Sequence, residues 1–236
     1  MRTFALAAVA LTAAPASALP CRLALAMWLD ISSSVDSSEY DIQLQGLIEA
    51  FRDQSVRDAI LSVPGTQVQV LVYEWSGYVQ QDAIVRWRSL ASRADIDGFI
   101  ADLSMHRRVY SDFPTAIGRA VHYALEEFER LPVICDQKIL DLSDDGVGND
   151  SPLAIEYWPR LATAGITVNA LVINGARPDP VAHYQCAVIT GTGAFHLEAR
   201  NGFEDYPPLI KGKLLREFQP LMMIGDATPP LEPAAR

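Results

Sequence analysis

Basic side chains are in short supply in this sequence, and they form no run. Lysine and arginine number 19, against 29 aspartates and glutamates among 236 residues, which gives a formal net charge of −10. Nucleic acids and anionic membranes are bound mainly through clustered basic side chains. The composition therefore argues against either ligand and favours cations.

Two sequence motifs of common hydrolases are missing as well. There is no Gly-x-Ser-x-Gly turn, which places a serine nucleophile, and no His-Glu-x-x-His helix, which binds catalytic zinc. Four histidines are present but widely scattered: His106, His122, His183 and His196. These absences argue against both kinds of enzyme.

After the first 18 residues, no apolar stretch approaches the roughly 20 residues that a membrane-spanning helix needs. The N-terminal segment itself has the three parts of a secretory signal peptide. A positive charge at Arg2 precedes the apolar residues 4–14, and small residues follow at Ala16 and Ala18, where a signal peptidase would cut. We therefore expect residues 1–18 to be removed and the mature protein to be exported, to a periplasm or out of the cell.

The rest of the chain has the composition of one globular domain, with 50% hydrophobic and 20% charged residues overall. We expect this domain to span residues 19–225. From Asp226 onward the sequence has three prolines and little apolar content. That composition predicts a disordered tail over residues 226–236.

Cysteine is rare, with three residues in the whole sequence, but export would allow a disulfide. Cys21 lies two residues before one apolar, strand-like segment, and Cys135 lies two residues before another. If these two strands are parallel neighbours, the cysteines lie at the same end of the sheet, close enough for a bridge. We therefore expect a Cys21–Cys135 disulfide, with Cys186 left as a thiol buried on a helix.

Strand-like apolar segments alternate with amphipathic helical segments along the chain. This alternation predicts an α/β fold with a doubly wound, mostly parallel six-stranded sheet and helices on both faces. The short connection before the third strand predicts a hairpin, which would make that strand antiparallel at the edge. The strands are expected near Leu23–Leu29, Val68–Tyr73, Val79–Trp87, Gln137–Leu142, Ile166–Ile173 and Ala194–Glu198.

Oxygen-bearing side chains follow the first strand in an alternating pattern, at Asp30, Ser32 and Ser34. In such sheets ligands bind at the carboxyl ends of the strands, so these three side chains can face one point there. Carboxylate and hydroxyl oxygens suit Mg²⁺, Mn²⁺ or Ca²⁺. A serine-rich turn that merely caps the following helix would have the same composition, and this alternative stays open.

Two later loops should reach the same edge of the sheet. One precedes the helix that begins near Thr115, and the other follows the fourth strand and contains Asp144 and Asp145. Together with the first loop they would supply enough oxygen ligands for an octahedral ion. The three loops therefore predict a site for Mg²⁺, with Mn²⁺ or Ca²⁺ as alternatives.

These three elements, in this order, resemble the von Willebrand factor type A domain and its metal-ion-dependent adhesion site, over roughly residues 21–220. The resemblance implies that Ser32, Ser34 and Thr115 bind the metal directly. Asp30 and the aspartate before Gly146 would act directly or through water. This chain has Ser-Asp-Asp-Gly where the family usually has Thr-Asp-Gly, so Asp145 is expected as the ligand, with Asp144 as the alternative. The exported form, the turn at residues 73–77 and the helix start at residues 115–118 resemble a bacterial branch of this superfamily with no assigned function.

The resemblance implies binding rather than catalysis, with an unidentified protein partner whose carboxylate completes the metal coordination. Glu74 could lie near the metal and contact its ligands without binding the ion itself, or it could be a solvated turn residue. One alternative is a phosphohydrolase of the haloacid dehalogenase type, which the chain resembles in having Asp30 after a strand and Gly-x-Gly-Asn-Asp at residues 146–150. That chemistry needs a second aspartate at position 32, which is serine here. A metal-free interaction scaffold is the other alternative.

Overall fold

A computed structural model describes residues 19–150, 152–175 and 177–220. Six strands form one sheet in the order 3-2-1-4-5-6; the third strand is antiparallel at one edge and the other pairs are parallel. The predicted fold class is confirmed, including the antiparallel edge strand. The predicted signal peptide at residues 1–18 and the predicted tail at 226–236 lie outside the described residues.

The strands begin and end close to the predicted positions, but one short helix was not predicted from the sequence. This helix, α2, follows α1 after a single residue, Asp53, whose carboxylate accepts a hydrogen bond from Ser55 N. The strands are β1 (Cys21–Asp30), β2 (Gln67–Trp75), β3 (Gln81–Leu90), β4 (Cys135–Asp144), β5 (Ile166–Ile173) and β6 (His196–Ala199). The α-helices are α1 (Ser37–Arg52), α2 (Gln54–Ile60), α3 (Arg93–Met105), α4 (Ile117–Glu129), α5 (Trp158–Ala164), α6 (Pro180–Ala187) and α7 (Tyr206–Glu217).

β1 is buried along its whole length because helices cover both faces of the sheet. Its side chains alternate between two hydrophobic cores, as the period of a strand requires. Leu25 and Met27 face the core formed with α1, α2, α3 and α7. Ala26 and Trp28 face the core formed with α4, α5 and α6. This two-sided burial explains why β1 is a continuous apolar run in the sequence.

β1 and β4 are parallel neighbours, and Cys21 pairs with Cys135 in their register. The two cysteines form a disulfide, as predicted from their matched offsets. Cys186 is the free cysteine and lies on α6, but its predicted burial is wrong. The side chain is exposed because α6 turns Tyr184, and not Cys186, toward the sheet.

The last helix is held against the sheet partly by buried charges. Lys213 of α7 forms ion pairs with Asp141 of β4 and, at 2.6 Å, with Glu217 one helical turn later. Asn169 of β5 donates to the same Glu217 oxygen at 2.8 Å. Burial raises the pKa of Asp141 well above its usual range, and repulsion from the Glu217 carboxylate raises it further, whereas Lys213 lowers it.

Candidate metal centre

The loops after β1 and β4 meet where the strand order changes direction. From β1 the chain moves to β2 on one side, and it later returns to place β4 on the other side of β1. In open α/β sheets the crevice at such a point is the usual ligand site, because the adjoining loops diverge there. Asp30 ends β1 and Asp144 ends β4, so both lie at this crevice.

The loop after β1 is organised by its own oxygen atoms. Both oxygens of the buried Asp30 carboxylate accept from Ser32, one from the backbone N–H and one from the hydroxyl, each at 2.8 Å. The Ser32 hydroxyl lies 3.0 Å from the hydroxyl of Ser34. The structure therefore brings the three predicted side chains of this loop into one hydrogen-bonded row.

The loop after β4 completes the row from the other side of the crevice. Asp145 Oδ1 accepts from Ser34 Oγ at 2.7 Å, while Asp144 is fully buried and accepts from Gly146 N at 3.1 Å. Carboxylate oxygens of Asp30, Asp144 and Asp145 all lie within 4.8 Å of one another. Both aspartates that the sequence left open as ligands thus face Asp30.

Thr115 reaches the same crevice from the segment before α4. Its backbone is paired with Asn149 in both directions, through Thr115 N to the Asn149 side chain at 2.9 Å and Asn149 N to Thr115 O at 3.0 Å. A Cβ added to Gly146 would lie 3.7 Å from Thr115 Oγ1 and 3.8 Å from Asp144 Oδ1. Gly146 therefore adjoins both the threonine hydroxyl and the carboxylate.

Burial of three neighbouring carboxylates has a clear electrostatic consequence. Burial raises the pKa of Asp144 to about 7 and raises the pKa of Asp30 and Asp145 above their usual range, and repulsion from the neighbouring carboxylates raises the pKa of Asp30 and Asp144 further. No lysine, arginine or histidine among the described residues forms an ion pair with any of the three. A buried negative cluster of this kind is stabilised by a bound cation or by protons.

The donor set fits a hard divalent cation. Every candidate ligand is an oxygen, from the carboxylates of Asp30, Asp144 and Asp145 and the hydroxyls of Ser32, Ser34 and Thr115. Mg²⁺, Mn²⁺ and Ca²⁺ prefer such ligands, whereas a softer ion would be expected to recruit histidine or cysteine.

Three residues that support the site were not identified from the sequence. Gln43 of α1 donates to Asp30 O at 3.0 Å, and the Tyr184 hydroxyl of α6 donates to the Asp144 carboxylate. Arg108 donates to several backbone carbonyls of the loop after β1. No sequence signal marks these residues, because each comes from a segment that only the tertiary fold places beside the crevice.

Glu74 is a buried residue near the end of β2, so it is not a solvated turn residue. Its carboxylate accepts from the Tyr40 hydroxyl at 2.5 Å and from Val109 N at 3.3 Å. His106 Nε2 lies 2.9 Å from the same carboxylate. Glu74 thus contacts the segment that carries Arg108.

One protein-family model matches most of the chain. Residues 20–222 match the model of a family described as "Protein of unknown function (DUF1194)". The chain belongs to this family. No curated protein sequence matches it.

The fold of this DUF1194 protein is that of von Willebrand factor type A domains, as the resemblance implied. Proximal thread matrix protein 1 from the mussel byssus superposes with a TM-score of 0.60 at 17% identity, over 86% of this chain and 50% of the mussel protein. The von Willebrand factor type A protein from Catenulispora acidiphila superposes with a TM-score of 0.55 at 14% identity, over 84% of this chain and 43% of that chain.

A further structure of the mussel protein is described as having a zinc-occupied MIDAS motif, the metal-ion-dependent adhesion site. It superposes with a TM-score of 0.56 at 17% identity, over 85% of this chain and 46% of that chain. This chain therefore spans about half the length of the solved proteins that it resembles. At these identities the comparisons establish the shared fold.

Within the described residues, no helix is long and apolar enough to cross a membrane.

Proposed function

We propose that this protein is an exported binding module that holds a divalent cation at the crevice between β1 and β4. A carboxylate of a partner protein completes the coordination of the cation. The convergence of the Asp30, Asp144 and Asp145 oxygens within 4.8 Å of one another carries this proposal. The serine hydroxyls and Thr115 lie at the same crevice and are the remaining candidate ligands.

The chemistry of the site favours binding of an acid. The hydroxyls of Ser32, Ser34 and Thr115 are neutral, so an ion that they bind directly keeps more of its positive charge for an incoming carboxylate than an ion that is bound by carboxylates alone. A phosphohydrolase of the haloacid dehalogenase type would need an acid at position 32, and the Ser32 hydroxyl instead donates to Asp30. The proposed role is therefore recognition without turnover.

Exposed apolar side chains around the site support a protein partner over a small acid. Tyr78 and Val79 follow β2 at the same edge of the sheet, and Leu153 adjoins α4, which begins just after Thr115. Tyr78 is 52% exposed, Val79 69% and Leu153 54%. Exposed apolar side chains at this edge would add contact area for a protein partner, which a small acid could not use.

The test is a calorimetric titration of Mg²⁺ and Mn²⁺ into metal-stripped protein, followed by capture of partners from an exported protein fraction with and without EDTA. Wild type should bind the cation, and Asp30→Asn should not. Asp41→Asn, which changes an exposed aspartate on α1, is the matched control. Identical titrations for wild type and Asp30→Asn would exclude the metal site, and capture that survives EDTA would favour the metal-free scaffold.

A further inference from the structure

All five N–H donors of the Arg108 side chain point at backbone carbonyls. Nε donates to Tyr110 O at 2.6 Å. One terminal nitrogen donates to Val35 O at 2.8 Å and Asp36 O at 3.3 Å. The other donates to Ile31 O at 2.9 Å and Ser32 O at 3.2 Å. A guanidinium has five donors in a fixed planar fork, so this arrangement uses every one of them.

Four of these five carbonyls belong to the loop that carries the candidate metal ligands. Ile31 O and Ser32 O flank the Ser32 hydroxyl, and Val35 O comes directly after Ser34. The loop also donates through Ser33 N to Phe113 O at 2.9 Å. Residues 108–113 therefore hold the backbone of the loop after β1 by two sets of hydrogen bonds, those that Arg108 donates and the one that Phe113 O accepts.

The segment that presents Arg108 is itself anchored. Glu74, buried near the end of β2, accepts from Val109 N at 3.3 Å and lies 2.9 Å from His106 Nε2. The Arg108 guanidinium lies over the Tyr40 ring at 5.5 Å, and the Tyr40 hydroxyl donates to Glu74. Arg108 is thus fixed by β2 on one side and by α1 on the other.

We infer that Arg108 is a positioning residue for the metal centre, which holds the Ser32 and Ser34 hydroxyls in register before a cation binds. This inference rests on the proposed function. Without the guanidinium, four loop carbonyls would lose their donor and the loop would have to be ordered by the cation itself. Groups that orient metal ligands from outside the coordination sphere affect affinity strongly for this reason.

Arg22 provides a control within the same chain, because it lies at the start of β1, at the opposite end of the strand from the candidate metal centre. Arg22 is buried, whereas Arg108 is half-buried, but it likewise donates to backbone carbonyls, to Phe218 O at 2.9 Å, Ala59 O at 2.8 Å and Ile60 O at 3.0 Å. If Mn²⁺ affinity fell through a general loss of packing, substitution of either arginine would lower it. If Arg108 acts specifically on the loop after β1, only substitution of Arg108 would lower the Mn²⁺ affinity.

The experiment compares Arg108→Lys, Arg108→Ala and Arg22→Lys by calorimetric titration with Mn²⁺ and by thermal unfolding in EDTA. Lysine keeps the charge but cannot reproduce the planar five-donor fork. We expect Arg108→Lys to weaken Mn²⁺ binding by about 10- to 100-fold, and Arg108→Ala by at least as much. Arg22→Lys should lower the unfolding temperature without changing the Mn²⁺ affinity.

Unchanged Mn²⁺ affinity in folded Arg108→Lys would overturn the inference and leave the metal site intact. Equal losses of affinity in the Arg108 and Arg22 variants would also overturn it, because both would then reflect general destabilisation. Failure of Arg108→Lys to fold beside a folded Arg22→Lys would show a structural role and count against the inference. Absence of Mn²⁺ binding by wild type would overturn the proposed function itself, together with this inference.

Discussion

The hydroxyl of Ser34 donates a 2.7 Å hydrogen bond to Asp145 Oδ1, although the two residues are 111 positions apart in the sequence. This contact closes the crevice between the loops after β1 and β4. It forms because β1 and β4 are adjacent parallel strands whose carboxyl ends lie at one edge. Any cation held by both loops must bind close to this contact.

Asp145 should contribute more to cation affinity than to folding. Its side chain is half-buried and accepts from Ser34, so Asp145→Asn removes a charge without leaving a cavity. We expect Asp145→Asn to weaken Mn²⁺ binding by at least about tenfold, while the free energy of unfolding in EDTA changes by less than about 0.5 kcal/mol, as is usual for substitutions outside the core. Calorimetric titration and urea denaturation measure the two quantities.

Asp144→Asn is the counterpart of that variant, because Asp144 is fully buried and accepts from Tyr184 and Gly146. If Asp144→Asn abolishes Mn²⁺ binding and Asp145→Asn leaves it unchanged, the ligand is Asp144. Asp41→Asn again controls for a change in net charge.

Without a cation, the protein should become less stable as the pH rises. Burial raises the pKa of Asp144 to about 7, whereas an aspartate in the unfolded chain titrates near about 4. The folded state therefore keeps a proton that the unfolded state has lost between these values. The resulting stabilisation is full below the unfolded pKa and is lost as the pH rises through the folded pKa. Urea denaturation in EDTA from about pH 5 to 8 measures this fall.

Saturating Mg²⁺ should reduce this fall, since the cation binds the deprotonated carboxylates and its affinity rises with pH. Asp141 also has a raised pKa from burial, and its contribution has the same sign but should not respond to Mg²⁺. Part of the pH dependence will therefore remain. Parallel stability curves with and without Mg²⁺ would contradict the proposed coupling.

The Cys21–Cys135 disulfide should contribute substantially to stability, because it closes a loop with a sequence separation of 114. Chain-entropy arguments give about 4.7 kcal/mol for a loop of about 100 residues, and removal of a native disulfide typically costs about 2 to 5 kcal/mol. We expect the double variant Cys21→Ser, Cys135→Ser to lose that amount by urea denaturation, and Cys186→Ser, at an exposed position, to lose little. Non-reducing peptide mapping should detect the Cys21–Cys135 peptide pair; a Cys135–Cys186 pair would contradict the strand register.

The sequence by itself determined the class of fold and most of the candidate ligands. Local patterns carry that information: β1 is an apolar run because both of its faces are buried, and Asp30, Ser32 and Ser34 follow it directly. The alternation of strands and helices also predicts which edge of the sheet the loops reach. The disulfide followed from the same reasoning about neighbouring strands.

The tertiary structure decided what no local pattern encodes. Gln43, Arg108 and Tyr184 reach the site from segments distant in sequence, and their hydrogen bonds to its loops depend on how the helices pack against the sheet. Cys186 shows the same limit, since a short helix has buried and exposed faces and only packing selects between them. Glu74 is buried because the residue 106–110 segment crosses over the end of β2. Long-range packing, and not residue type, assigns these roles.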